Sequence, residues 1–255
     1  IELFTKPVAT HGQPFYYHFV VVFLGCFPAS IFALPQLLKF STKKGFPFTL
    51  WMISLFWVVM IIFSVSTTKI VHYSSMAYWP LTFLAAMYIQ KLENQHEKIK
   101  NYIIVLYILL GLLWTFIFMM VPYILKNPSI IIPYIKDQTA INSLLMPTSM
   151  DGYEPIVGLI FLIGIATSVF FIIKVKIYRG LVTAGMTVGF TLLLFSFFIL
   201  PHIERLSQGP AINFYKTLEN KDVYVEIIGF KSYAPFFYTK VKPKSHTQSD
   251  NMDWL

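Results

Sequence analysis

A lysine and a tyrosine four residues apart, Lys69 and Tyr73, stand in the segment "SVSTTKIVHYSSMAYWP" (64–80), between two long apolar runs. An ammonium supplies a point charge and a phenol a directional hydrogen bond, the two kinds of group needed to hold a lipid phosphate. If a helix begins at Lys69, the two side chains share one of its faces. A second polar group, "HGQPFYYHF" (11–19), precedes the first apolar run and carries His11, Gln13, Tyr16, Tyr17 and His18, with Lys6 just upstream. His72 adds a ring to the first group, and His202, Glu204 and Arg205 follow the last apolar run. Together these residues could rim a cavity for a charged headgroup at a membrane surface. A belt of interfacial tyrosines and tryptophans with snorkelling lysines uses the same residue types without any site. For Tyr16, Tyr17, Tyr78 and Trp79 the belt is the simpler account; for Lys69 with Tyr73 both readings stay open.

Other chemistries find little support. His11, His18, His72 and His202 could meet near one boundary, but no His-x-x-x-His spacing or cysteine pair joins them, and Pro14 interrupts any helix between His11 and His18. A divalent metal is therefore a minor alternative, and no resident cofactor is expected. There is no Gly-x-Ser-x-Gly elbow, P-loop or Gly-x-Gly-x-x-Gly. The single cysteine, Cys26, lies inside an apolar run and reads as a core residue. Glu2, Asp137, Asp151 and Glu154 fall in loops with no visible partner, where acids are expected to be solvated.

The elements that must position these residues follow from composition. The chain is 56% hydrophobic and 13% charged, with a mean hydropathy of +0.63. Soluble domains carry about a quarter charged residues, so the chain is expected to be an α-helical polytopic membrane protein. Six stretches are long enough to span: 16–38, 47–66, 70–90, 101–125, 156–173 and 180–200. Nucleic acid is not the reason for the net charge of +8, because the basic residues sit between spans. Alternate connections are lysine-rich: Lys39, Lys43 and Lys44; Lys91, Lys98 and Lys100; Lys174, Lys176 and Arg179. The positive-inside rule makes those connections cytoplasmic. The opening segment, the Lys69 turn, the 126–155 connection and everything after Leu200 are then external.

The expected organisation is an external juxtamembrane loop (1–15), a transmembrane domain (16–200) and a small external α/β domain (201–255). In the last, 210–219 suits a short helix, while "DVYVEII" (222–228) and "PFFYTKV" (235–241) suit strands. The chain begins with "IELFTKPVATHGQP" and stops without a closing element, so it is expected to be a piece of a longer protein.

"HGQPFYYHFVVVFLGCFPASIFALP" (11–35) resembles a stretch of the bacterial 4-amino-4-deoxy-L-arabinose transferases, relatives of the dolichyl-phosphate-mannose protein mannosyltransferases. "IFSVSTTKIVHYSSMAYWPLTFLAA" (62–86) resembles that family's Phe-Ser…Lys-Leu…Tyr segment. The resemblance implies a membrane glycosyltransferase of the inner (cytoplasmic) membrane, with its site on the external face. It would move a sugar from a polyprenyl-phosphate donor to a glycolipid or protein acceptor. It places the catalytic acid upstream of Ile1, so no catalytic residue is expected within this chain. Lys69 and Tyr73 carry over as carrier-phosphate ligands, and His11, Gln13, Tyr16, Tyr17 and His72 as the cavity rim. Two positions depart from the pattern: Leu3 stands where the family often has Arg, and Ser74–Met76 where Leu-Pro often follows the motif Tyr.

A lipid-linked sugar flippase or transporter is the first alternative, although four of the six spans have no ionisable residue between their ends to couple transport. The second is a non-catalytic scaffold that binds a partner through Tyr233, Phe236, Phe237 and Tyr238, residues that a strand core would equally explain.

Overall fold

The first apolar run does not cross as one helix. Pro28 lacks a backbone N–H and its ring opposes a carbonyl one turn back, so the run breaks into α1 (Tyr17–Gly25) and α2 (Ala29–Leu37), bent by 119°. Carbonyls freed inside a bilayer need other donors. Ser30 Oγ donates to Phe23 O at 2.7 Å, and Trp114 Nε1 donates to Leu24 O at 3.3 Å. The computed structural model describes residues 13–38, 47–66, 69–95, 97–136, 138–145, 150–221, 225 and 233–240.

Four continuous helices are long and apolar enough to span: α3 (Pro47–Val65), α5 (Asn101–Lys126), α7 (Ile156–Ile173) and α8 (Ile177–Phe198). With the bent α1–α2 pair, the described residues supply four spans or five, fewer than the six expected. The expected span at 70–90 is the one lost. Ile70 is extended, residues Val71–Ala77 wind as a 3-10 helix, and α4 (Tyr78–Gln95) follows. The last turns of α4 read "QKLENQ", so by length and composition alone α4 falls short of a span. Helix α4 instead packs a stripe of Leu81, Leu84, Ala85, Tyr88 and Leu92, spaced three and four apart, mainly against α2.

The described residues fall into two compact units. One comprises Ile1–Met119 with Ile156–Leu192, the other Met120–Pro155 with Leu193–Leu255. In the first unit, Tyr107 is fully buried between Phe27, stacked at 5.4 Å, and Phe32 at 5.7 Å. Its hydroxyl donates to Ser168 Oγ at 2.8 Å, which donates in turn to Gly180 O at 2.7 Å. Glycine permits that approach: a Cβ at Gly180 would lie 2.6 Å from Ile172 Cγ1 and 3.0 Å from Ser168 O. Large apolar side chains such as Trp51, Phe116, Phe170 and Met186 are exposed on the outside of these helices, as lipid-facing residues are. The chain is a multi-pass helical membrane protein.

Helix α7 ends in a paired cap. Lys176 N–H reaches Phe171 O at 2.9 Å and Val175 N–H reaches Ile172 O at 3.0 Å. The residue at the left-handed position is Val175, at φ +60, where glycine is usual. The lysine-rich connections come together at this end. Glu93 Oε1 on α4 accepts the Tyr178 N–H of α8 at 3.0 Å, and Lys98 and Val175 line one cavity. Lys39, Lys43 and Lys44 lie outside the described residues.

The second unit contains α6 (Gln138–Leu144), α9 (Leu200–Ser207), α10 (Gly209–Thr217) and α11 (Ala234–Thr239). The helix expected at 210–219 is α10. The strand expected at 235–241 is a helix instead: Pro235 sits in its first turn, and α11 packs on α10. There is no strand among the described residues, so the α/β domain is not supported; the 222–228 segment, apart from Val225, lies outside them. Tyr233 and Phe237 are exposed rather than core residues. Lys240 pairs with Glu219, and the Lys216 ammonium stands 5.9 Å above the Tyr238 ring. Glu154 is buried, not solvated as expected. Its carboxylate accepts the N–H groups of Asp151 (2.9 Å) and Gly152 (2.8 Å), which bends the chain into α7 with Gly152 at φ +107.

Candidate functional site

The last carbonyls of a helix lack intrahelical partners and carry the negative end of its dipole. At the end of α3 those carbonyls are taken by Lys69. Its ammonium donates to Ser66 O at 2.6 Å, Ser64 O at 2.8 Å and, more weakly, Phe63 O at 3.4 Å. Only 4% of Lys69 is exposed, and burial lowers its pKa from the usual 10.5. The side chain reaches back over a short connection to place one fixed positive charge beneath the turn.

Tyr73 does not share a helix face with Lys69, because the extended Ile70 separates Lys69 from the 3-10 helix that holds Tyr73. Phe63 brings the two together instead. Its carbonyl meets the lysine, and its ring meets the Tyr73 ring at 5.5 Å. His72 packs edge-on against Tyr73 at 5.2 Å and is exposed.

His18 enters from α1 and is completely buried. Its ring lies 6.0 Å from Phe63 and its Nδ1 is 3.0 Å from Ser74 Oγ. The Ser74 hydroxyl donates to Val71 O at 3.2 Å, so its oxygen is left to accept a proton from Nδ1. On this pattern we assign the proton to Nδ1, which makes Nε2 an acceptor. Nε2 is buried and has no partner; so is Ser64 Oγ on the neighbouring turn of α3. Phe63 links this imidazole to Lys69: its ring lies against the first and its carbonyl accepts from the second. A cation, a hydrogen-bond acceptor and a hydroxyl therefore meet within an apolar bundle, where unpaired polar groups are costly.

Tyr17 sits edge-on to His18 at 5.3 Å and is half-buried, whereas Tyr16 and Gln13 are exposed. His11 lies outside the described residues. Along α1 and α3, a cavity of about 350 Å³ runs through Phe19, Val22, Phe23, Phe56, Trp57 and Met60, with almost no polar lining. Sequence reasoning picked out Lys69 and Tyr73 and set His18 among the residues that could form a rim, but gave Ser74 no site role and did not pair it with His18. The available signal was a histidine inside an apolar run and a serine pair after the motif tyrosine. Their separation of 56 residues hid the contact. Among the described residues no three of His, Cys, Asp or Glu gather where they could hold a metal ion.

A polytopic helical membrane protein with a buried basic site at one end of its bundle is the class that fold and geometry define. Over 103 residues the chain is 33% identical to the undecaprenyl phosphate-alpha-4-amino-4-deoxy-L-arabinose arabinosyl transferase of Wigglesworthia glossinidia brevipalpis, which covers 38% of this chain. The matched region spans 18% of that protein's length. No family model matches the chain, and no solved structure does.

Proposed function

We propose that the chain is the lipid-donor half of a membrane glycosyltransferase that takes a sugar from a polyprenyl-phosphate carrier on the external face of the inner membrane. The observation that carries this reading is the buried Lys69–His18–Ser74 cluster, with an apolar groove lined by other residues of the same α1 and α3. A polyprenyl phosphate has the matching form, a long apolar chain ending in an anion. The chain occupies the groove beside Phe19, Phe56 and Met60. Its phosphate meets the Lys69 charge, and the Tyr73 hydroxyl and the exposed His72 complete the rim with Gln13, Tyr16 and Tyr17. The similarity to the arabinosyl transferase supports the same class of donor.

The reaction this implies has a simple balance. An acceptor hydroxyl oxygen bonds to the anomeric carbon, the bond from that carbon to the phosphate oxygen breaks, and the electron pair leaves with the phosphate. The hydroxyl proton passes to a base, the acidic residue that the resemblance places upstream of Ile1. Negative charge grows on the phosphate in the transition state, and a fixed ammonium is most useful there. Lys69 is fixed because three carbonyls hold it. The acceptor, a glycolipid or a protein, binds from the external side.

The test is transfer of a radiolabelled sugar from polyprenyl phosphate to membrane acceptors by the full-length natural protein and its Tyr73→Phe variant. Transfer by the parent, reduced about tenfold or more in the variant, agrees with the reading. Transfer that is equal in both moves the site away from Tyr73. No transfer by the parent, with lipid-linked sugar crossing the bilayer instead, would favour a flippase.

A further inference from the structure

The lysine-rich end of the bundle holds a second cavity, of about 500 Å³, that the donor reading does not use. Its apolar lining includes Ile104, Val105, Ile172 and Ile177, and its polar lining is Lys98 and Asn101. No carboxylate lines it. The sequence neighbours of its lining residues add Lys100, Lys174 and Lys176, and Arg179 follows two residues after Ile177. Of the acids nearby in sequence, Glu93 is occupied by the Tyr178 N–H, and Glu97 is the other. Val175, held in a left-handed backbone that β-branched residues avoid, also lines the cavity. Such conformations persist where surrounding structure enforces them, and they gather at binding sites.

We propose that this cavity is a structural binding site for one anionic phospholipid of the surrounding membrane. The lipid phosphate sits at Lys98 and Asn101, and an acyl chain lies along Ile104 and Val105. Charge and position both point to this occupant. Basic pockets between transmembrane helices at the positively charged end are where anionic headgroups collect, and a mostly apolar lining that also holds a lysine fits a lipid better than a soluble anion. The lipid ties the start of α5 to the α7–α8 turn.

The test uses the full chain in nanodiscs of mixed phosphatidylcholine and phosphatidylglycerol, released into detergent and weighed with its retained lipids by native mass spectrometry. Parent protein is expected to retain phosphatidylglycerol over phosphatidylcholine by about tenfold, and Lys98→Glu to abolish the preference. Lys136→Glu makes the same charge change at an exposed site in the other unit and is expected to leave the preference intact. Ile104→Trp, which fills the cavity without changing charge, is expected to lower retention as well. Absence of any preference in the parent would overturn the proposal. So would equal losses in Lys98→Glu and Lys136→Glu, which would mean diffuse charge rather than a site.

Discussion

His18 Nδ1 lies 3.0 Å from Ser74 Oγ, and both side chains are fully buried, so one hydrogen bond joins the first helix to the turn that carries Tyr73. Ser74→Ala would leave the Nδ1 proton buried without an acceptor. The expected cost is about 1–3 kcal/mol of stability. Denaturation of parent and variant in the same detergent measures it, and an unchanged midpoint would mean the bond contributes nothing.

Val175 at φ +60 stands where a glycine would carry no steric penalty. Val175→Gly is expected to stabilise the protein by about 1 kcal/mol, since the left-handed conformation costs L-residues about 1–2 kcal/mol. The same denaturation series checks the sign. A destabilised variant would show that Val175 packing outweighs its backbone strain.

Gly180 is the converse case. Its would-be Cβ meets the backbone oxygen of Ser168 at 3.0 Å as well as Ile172, so the neighbour cannot simply rotate away. Gly180→Ala is expected to push α8 from α7 and cost about 1–3 kcal/mol. It would also weaken the bonds from Tyr107 to Ser168 and from Ser168 to Gly180. A loss below a few tenths of a kcal/mol would show that the two helices adjust freely.

The folded state holds the Lys69 pKa below 10.5 because burial disfavours the ammonium. Between the folded value and 10.5, the unfolded chain keeps a proton that the folded chain has released. Stability therefore rises with pH across that window, with respect to this group alone. The charge offered to a phosphate moves the other way, and affinity for polyprenyl phosphate should fall as pH rises through a midpoint below 10.5. Binding measured between neutral pH and about 10 reads this out. Affinity that holds steady to the ordinary lysine range would separate Lys69 from the phosphate.

How much was legible in the sequence depends on how local each feature is. The runs at 47–66, 101–125 and 156–173 match α3, α5 and α7 to within a residue, because hydropathy alone sets them. The run at 16–38 is also apolar enough to read as a span, yet Pro28 removes a donor in its middle, and a window average does not register one residue. "PFFYTKV" has strand propensities that packing against α10 overrides. Lys69 was conspicuous as a charge in a short turn. That it folds back onto the carbonyls of residues 63, 64 and 66 depends on the extended Ile70, which no periodicity signals. His18 and Ser74 belong to the same site only because α1 packs on the 3-10 turn.

The most direct test of the donor reading is the affinity of the chain, in nanodiscs, for polyprenyl phosphate, compared between the parent and Lys69→Gln. Thermal unfolding is followed in parallel, because losing the cap at the end of α3 is itself expected to cost about 2 kcal/mol. A folded variant that binds polyprenyl phosphate at least about tenfold more weakly, while both bind polyprenol equally, is the predicted result. A folded variant that binds polyprenyl phosphate as tightly as the parent would contradict the account and leave Lys69 as a helix cap alone.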